Sequence, residues 1–203
     1  MKGERGGRVA GVVLAAGFSS RMGQNKLLLP LGGSSVLRHA VGTAAAAGLD
    51  PILVVLGHES ERAQAELAGL SFTPVLNPEF ARGINTSLSA GISAVPDDDA
   101  AAVVMLADMP LVNVEMVRTL IARHRSSGAP LVLSVYDGVL APPTLYGRAL
   151  FPELRTLDGD GCGKRVMKRH RDAASEVDWP ASALTDLDVP ADVERVRALL
   201  EGS

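Results

Sequence analysis

Apolar positions along the chain gather in short runs rich in β-branched residues, and the segments between them carry a helical period. Val9–Ala16 is apolar at nearly every position, which predicts a strand buried on both faces and central in a parallel sheet. Ser34 or Ser35 can cap a helix that runs to Ala47, with the Ala44–Ala47 run in its interior and Gly48 as a left-handed stop. Ile52–Leu56 predicts a second buried strand, Ser60–Leu67 a helix, and Phe72–Leu76 a third strand ended by Asn77-Pro78. Thr86–Ala94 reads as a helix, followed by the turn Pro96-Asp97-Asp98-Asp99. Ala101–Leu106 is the clearest buried strand and ends at Asp108. Asn113 caps a helix through about Arg125, and Leu131–Val135 is a further strand. After Tyr136 the period weakens. Pro142-Pro143 argues for an edge or a loop, and Cys162–His170 looks helical. Pro190 opens a last helix with Val193, Val196, Leu199 and Leu200 as its apolar face. Strands that alternate with helices in this way predict an α/β fold, a three-layer sandwich around a mostly parallel central sheet.

Composition narrows the function. The 203 residues are 47% apolar, which supports a sizeable core and excludes wholesale disorder. Lys and Arg total 20 against 23 Asp and Glu, a net charge of -3. That balance argues against a nucleic-acid or membrane partner held by bulk positive charge. Aromatic residues are 3%, so base-stacking platforms are scarce. The single cysteine, Cys162, excludes an intrachain disulfide and a cysteine metal cluster. Met1–Arg8 is polar and Gly-rich and reads as a disordered tail ahead of one domain over residues 9–203. Val9–Phe18 has about half the length of a transmembrane helix and lacks a signal-peptide cleavage site, so a cytoplasmic protein is expected.

In an open α/β sheet, ligands bind beyond the carboxyl ends of the strands. The loop after the first strand runs from Gly17 to Lys26. Gly17 and Gly23 let the backbone approach a ligand, and Arg21 and Lys26 add a bidentate fork and a point charge. This set can cradle a triphosphate; the alternative is a Gly-rich surface turn with two solvated cations. It is not a P-loop, because Leu27 follows Lys26, and the dinucleotide pattern is absent. Leu106-Ala107-Asp108-Met109-Pro110 sets a carboxylate at the mouth of a central strand. Asp108 there can hold Mg²⁺, which binds through one or two carboxylates plus substrate phosphates, or can cap the following turn. Asp186-Leu187-Asp188 is a second acidic cluster, also explained by the helix start that follows it. His39, His58, His124 and His170 share no metal-ligand spacing. Cys162 has no neighbouring His to activate it. The basic cluster from Lys164 to Arg171 reads as a solvated helix face or as a guide for a phosphorylated acceptor.

The residues Leu14-Ala15-Ala16-Gly17-Phe18-Ser19-Ser20-Arg21-Met22-Gly23-Gln24-Asn25-Lys26 resemble the signature L-A-A-G-x-S-x-R-M-G-x-x-K of the MobA-like nucleotidyltransferases. Asn77-Pro78 with Gly83-Ile84-Asn85-Thr86-Ser87-Leu88, Ala107-Asp108-Met109-Pro110, Ala149–Leu154 and Asp186–Pro190 resemble later motifs of the molybdenum cofactor cytidylyltransferase branch. Gly159–Lys164 resembles a G-D-x-G-A-R segment, with Cys162 at its second Gly. The resemblance implies a Rossmann-like fold of the nucleotide-diphospho-sugar transferase type. It implies nucleotide contacts from the backbone of Leu14, Ala15, Ala16 and Gly17, and phosphate contacts from Arg21 and Lys26. Asn77, Gly83 and Ser87 would lie around the base and ribose, and Asp108 would bind Mg²⁺, aided by Asp188. The implied reaction moves CMP from CTP onto the terminal phosphate of a molybdopterin-type cofactor, releases pyrophosphate, and serves a molybdenum hydroxylase or its chaperone. Catalysis would rest on Arg21, Lys26 and Asp108. GTP-dependent guanylyl transfer and a non-catalytic cofactor carrier are the alternatives.

Overall fold

The computed structural model of the chain describes residues 7–18, 24–185, 187 and 190–201. Strand β1 (Val9–Ala15) is buried along its whole length, as its continuous apolar sequence requires. A small antiparallel hairpin, β2 (Pro30–Leu31) and β3 (Ser34–Ser35), leads into helix α1 (Val36–Ala46). The Ser35 hydroxyl accepts from the Arg38 amide at 3.1 Å, and Gly48 leaves the helix at φ +85°. The alternation continues through β4 (Ile52–Leu56), α2 (Ser60–Glu66), β5 (Thr73–Leu76), α3 (Ile84–Ser93) and β6 (Ala101–Leu106). Asn113 caps α4 (Val114–Ser127) by accepting from the Met116 amide at 3.0 Å. Helix α3 starts at Ile84 rather than at Thr86, because Gly83 at φ +119° makes the turn into it.

The segment after Tyr136 holds three strands that the hydrophobic pattern does not indicate. β7 (Leu131–Tyr136) is followed by the short β8 (Val139–Leu140), then by β9 (Thr144–Gly147), α5 (Phe151–Leu154), α6 (Lys164–Arg169), β10 (Ser175–Trp179) and α7 (Pro190–Glu201). The sheet order is β10-β7-β9-β6-β1-β4-β5, with β8 on β7. Pro142-Pro143 does lie in a loop, but the strand it feeds is internal: β9 pairs antiparallel with both β6 and β7. The proline pair cannot donate, yet its carbonyls accept from the Ser134 hydroxyl at 2.6 Å and the Tyr136 hydroxyl at 2.9 Å. β10 joins the far edge, parallel to β7. The Cys162–His170 helix is shorter than its pattern, Lys164–Arg169, because Cys162 and Gly163 both take positive φ.

The central sheet is mixed and mostly parallel, with helices on both faces. On one face Val9, Val13, Ala15, Val103 and Met105 pack with α1, α4 and Val196 of α7. On the other Ala10, Val12, Leu14, Ala102 and Val104 pack with α3, α5 and α6. The alternation along β1 and β6 follows from the two-residue period of a strand. No described helix is long and apolar enough to cross a membrane.

Helix α3 sits on β1 and β4 through Gly91, where an added Cβ would stand 2.4 Å from Val12 Cγ1 and 2.9 Å from Val55 Cγ2. Both neighbours are β-branched side chains in packed strands and have little room to turn. Gly91→Val should therefore cost about 3 kcal/mol, the upper part of the overpacking range. By calorimetry that is a fall in Tm of about 6–12 °C for a chain of this size. An unchanged Tm would show that α3 can lift off the sheet without penalty.

Candidate active site

The carboxyl ends of β1, β4, β5 and β6 meet at one edge of the sheet, and backbone bonds carry the ladder past the strands. Ala107 N donates to Leu14 O at 3.1 Å, His58 N to Ala16 O at 3.3 Å, and Asn77 N to Leu56 O at 2.8 Å. A cavity of about 170 Å³ opens there, lined by Leu14, Ala15, Ala16, Gly17, Lys26, Leu27, Phe80, Ile84, Ser87, Leu106 and Asp108. Its volume is below the roughly 300–1,000 Å³ of pockets that enclose a whole drug-sized ligand, so it can enclose only part of one.

The charged end of the cavity is one ion pair. Lys26 Nζ stands 2.5 Å from Asp108 Oδ2, with both side chains mostly shielded from solvent. Lys26 begins a short 3₁₀ turn, Lys26–Leu28, and buried Asn25 caps it by accepting from the Leu27 amide at 3.1 Å. Asn25 also bonds Glu59, whose carboxyl is held below its ordinary value by hydrogen bonds from Arg62 and Asn25. Asp108 lies two residues beyond the end of β6, and its carbonyl accepts from Leu187 N at 3.1 Å. Asp186, Asp188 and Arg21 lie outside the described residues.

Leu14 to Gly17, Lys26, Ser87 and Asp108 thus share one cavity, while Asn77 and Gly83 do not line it. The Asn77 amide nitrogen donates to Thr86 Oγ1 and Ser87 Oγ, each at 2.9 Å, and its oxygen accepts from Glu79 N at 3.0 Å. Asn77 therefore ties the end of β5 to the first turn of α3. Gly83 faces a loop instead of the cavity: an added Cβ would lie 2.4 Å from the Gly159 carbonyl oxygen.

Asn85, in the first turn of α3, organises that loop. Its nitrogen donates to the carbonyls of Asp158 at 3.0 Å and Asp160 at 2.7 Å, and its oxygen accepts from Gly163 N at 2.9 Å. The cavity residues Leu27, Phe80, Ile84 and Leu106 were also not singled out. Apart from Phe80 they are aliphatic, and in sequence they are indistinguishable from core. Of the histidines, His39 Nε2 lies 3.0 Å from Pro110 O and His124 Nδ1 2.8 Å from Ala129 O. In the basic cluster, Arg169 and His170 both pair with Glu153, and Arg171 with Glu176. Among the described residues no three His, Cys, Asp or Glu side chains converge for a metal ion.

A strand-end cavity bearing a lysine and a carboxylate on a mostly parallel sheet is a setting suited to a phosphorylated ligand. The chain belongs to the MobA-like NTP transferase domain family, whose model matches residues 11–174. It is 32% identical over 199 residues to the purine catabolism protein PucB of Bacillus subtilis (strain 168), covering 92% of this chain and 95% of that protein. It is 32% identical over 162 residues to the bifunctional protein GlmU of Geotalea uraniireducens, covering 79% of this chain but 34% of that longer protein. The crystal structure of Rv0371c from Mycobacterium tuberculosis superposes with a TM-score of 0.83 at 27% identity, covering 95% of this chain and 99% of that one. The same mycobacterial protein has also been solved in complex with manganese.

Cys162 is partly buried at φ +44°, a conformation that suits the glycine of the related motif better than a cysteine. Burial pushes its thiol up to about 12, with the negative charge of Asp108 adding to the rise and Lys164 offsetting part of it. A raised thiol value keeps the neutral, unreactive form through the physiological range. Labelling by iodoacetamide should be negligible at pH 7–8 in the folded protein and should climb only as pH approaches about 12. Rapid labelling at pH 8 would show an open, activated thiol.

Proposed function

We propose that the chain transfers CMP from CTP to the terminal phosphate of a molybdopterin-type cofactor, with Mg²⁺, and releases pyrophosphate. The observation that carries this reading is the Lys26–Asp108 pair set in one cavity with the Leu14–Gly17 strand end. A cation and a carboxylate side by side match the two charges of a metal triphosphate. Lys26 would hold the phosphates, joined by Arg21, and their charge would orient the α-phosphorus toward the acceptor.

The donor set at Asp108 fits a hard cation that keeps several waters and shares substrate phosphates: one carboxylate at a strand mouth, with no cluster of three ligating side chains among the described residues. Asp108 would hold that ion, with Asp188 as the second carboxylate. When bound, the ion supplies charge neutralisation for the phosphates. The manganese complex of the 26% identical mycobacterial protein supports a divalent cation in this family. The acceptor phosphate is largely dianionic near neutral pH, its second pKa being about 6, so it attacks without a general base. No His–carboxylate pair faces the cavity among its described lining residues, which agrees with that chemistry. A cytoplasmic setting and a molybdenum hydroxylase or its chaperone as recipient complete the proposal.

Lys26→Ala should lower kcat/KM by roughly 10²-fold or more, the scale of one strong charge-stabilising contact, and should lower Tm measurably, because Asp108 loses its shielded ion-pair partner. Asp108→Asn should abolish transfer and weaken nucleotide binding chiefly when Mg²⁺ is present. Equal CTP binding by wild type and Asp108→Asn across a Mg²⁺ titration would remove Asp108 from the metal site.

Base choice is tested by pyrophosphate release with each triphosphate and molybdenum cofactor as acceptor. Ala16 lines the cavity, and its methyl would crowd a purine more than a pyrimidine. CTP should exceed GTP by at least roughly 10-fold in kcat/KM, the lower end of what one such contact gives, and Ala16→Gly should narrow the gap. A GTP preference would select the guanylyl reading. Binding of the cofactor without pyrophosphate release would select a carrier.

A further inference from the structure

We propose that Phe80, seated on the bare backbone of Gly57 and braced by Phe18, is the stacking wall for the nucleobase; this rests on the triphosphate reading above. The cavity has two unlike ends. Lys26 and Asp108 make one end charged, while the rest of the described lining is Leu14–Gly17, Leu27, Ile84, Leu106, Ser87 and the ring of Phe80. Phe80 is the one aromatic ring in that lining. The chain has only four phenylalanines, and two of them meet at this mouth: the Phe18 and Phe80 ring centroids are 4.7 Å apart at 47°. His58 adds a third ring, 5.2 Å from Phe18.

The position of the Phe80 ring is built rather than incidental. A Cβ on Gly57 would stand 2.6 Å from Phe80 Cγ and 2.9 Å from Ala16 O. The ring thus lies on a backbone stripped of its side chain, beside the strand-end residues Leu14–Gly17 that line the cavity. Phe18 holds it from the solvent side while remaining 50% exposed itself. The Asn77 amide, which could otherwise grip a base from this quarter, is committed to Thr86, Ser87 and Glu79. Among the described lining residues the uncharged end offers the Ser87 hydroxyl and the flat apolar face of Phe80, and every base has a π-face that can stack on such a ring.

The test separates base from phosphates by titration calorimetry with Mg²⁺ and CTP, GTP or inorganic tripolyphosphate. Phe80→Leu keeps apolar bulk and loses the ring, and Phe80→Trp keeps a ring. Phe80→Leu should weaken CTP and GTP binding by roughly 5- to 100-fold, the effect of losing one base–aromatic stack, and leave tripolyphosphate binding as in wild type. Phe80→Trp should retain nucleotide affinity, and Gly57→Ala, which displaces the ring, should mimic Phe80→Leu. Unchanged nucleotide binding by Phe80→Leu with tripolyphosphate binding intact would overturn the stacking wall alone. Equal loss of tripolyphosphate and nucleotide would also overturn it, since the ring would then serve the fold. A wild type that binds neither would overturn the triphosphate reading together with the wall.

Discussion

The parallel placement of β1 between β4 and β6 is the constraint on which the site depends. Parallel strands release their carboxyl ends at the same edge, and here four of them, β5 included, do so side by side. Residues from the first loop, from Gly57-His58, from Asn77–Ser87 and from Asp108 are thereby gathered from distant parts of the chain. Ala107, His58 and Asn77 each continue the ladder by one backbone bond, which fixes the loop roots as firmly as the strands. The two apolar faces of β1 hold it in place from both sides, so the edge that carries the cavity is anchored between two packed cores.

Helix α3 converts that edge into a cavity. Gly91 brings it close against Val12 and Val55, and its first turn receives Asn77 from one direction and the Asp158–Gly163 loop from the other. Asn85 and Gly83 act together in this: one supplies the hydrogen bonds, the other removes the side chain that would block the approach. Ile84 and Ser87 are then left facing the cavity. The helix start is a structural junction first, and its contribution to the site follows from that.

The parallel half of the sheet was legible in the sequence because its strands are buried on both faces and leave unbroken apolar runs, as Val9–Ala15, Ile52–Leu56 and Ala101–Leu106 do. Ser35 and Asn113 were legible as caps because short polar side chains at a helix start have one local partner. β9 was not, since Thr144–Gly147 is four residues long and follows two prolines; its internal position comes from pairing on both sides, a non-local fact. β10 buries only Val177 fully on its edge, so its pattern is mostly polar. At the site, Lys26 and Asp108 stood out as charges at strand mouths. Asn77 and Gly83 have structural contacts that the sequence does not announce, because the residue types that bind a nucleotide are the same types that satisfy buried backbone. Phe80 and Ile84 were hidden for the opposite reason: their chemistry is that of core.

The Lys26–Asp108 contact is an internal placeholder for a pair of opposite charges. A lone cation arriving at Asp108 has to compete with an ammonium already 2.5 Å away, and a lone anion arriving at Lys26 has to compete with the carboxylate. Either exchange alone breaks a close contact between opposite charges in a shielded place, which is costly. A cation and an anion arriving together would let both residues exchange one opposite charge for another. On the proposed reading the two kinds of ligand would be coupled through this contact, and by thermodynamic reciprocity each would strengthen the other by the same factor. One short ion pair would thus make the resting site indifferent to stray ions and responsive to a charge-balanced complex.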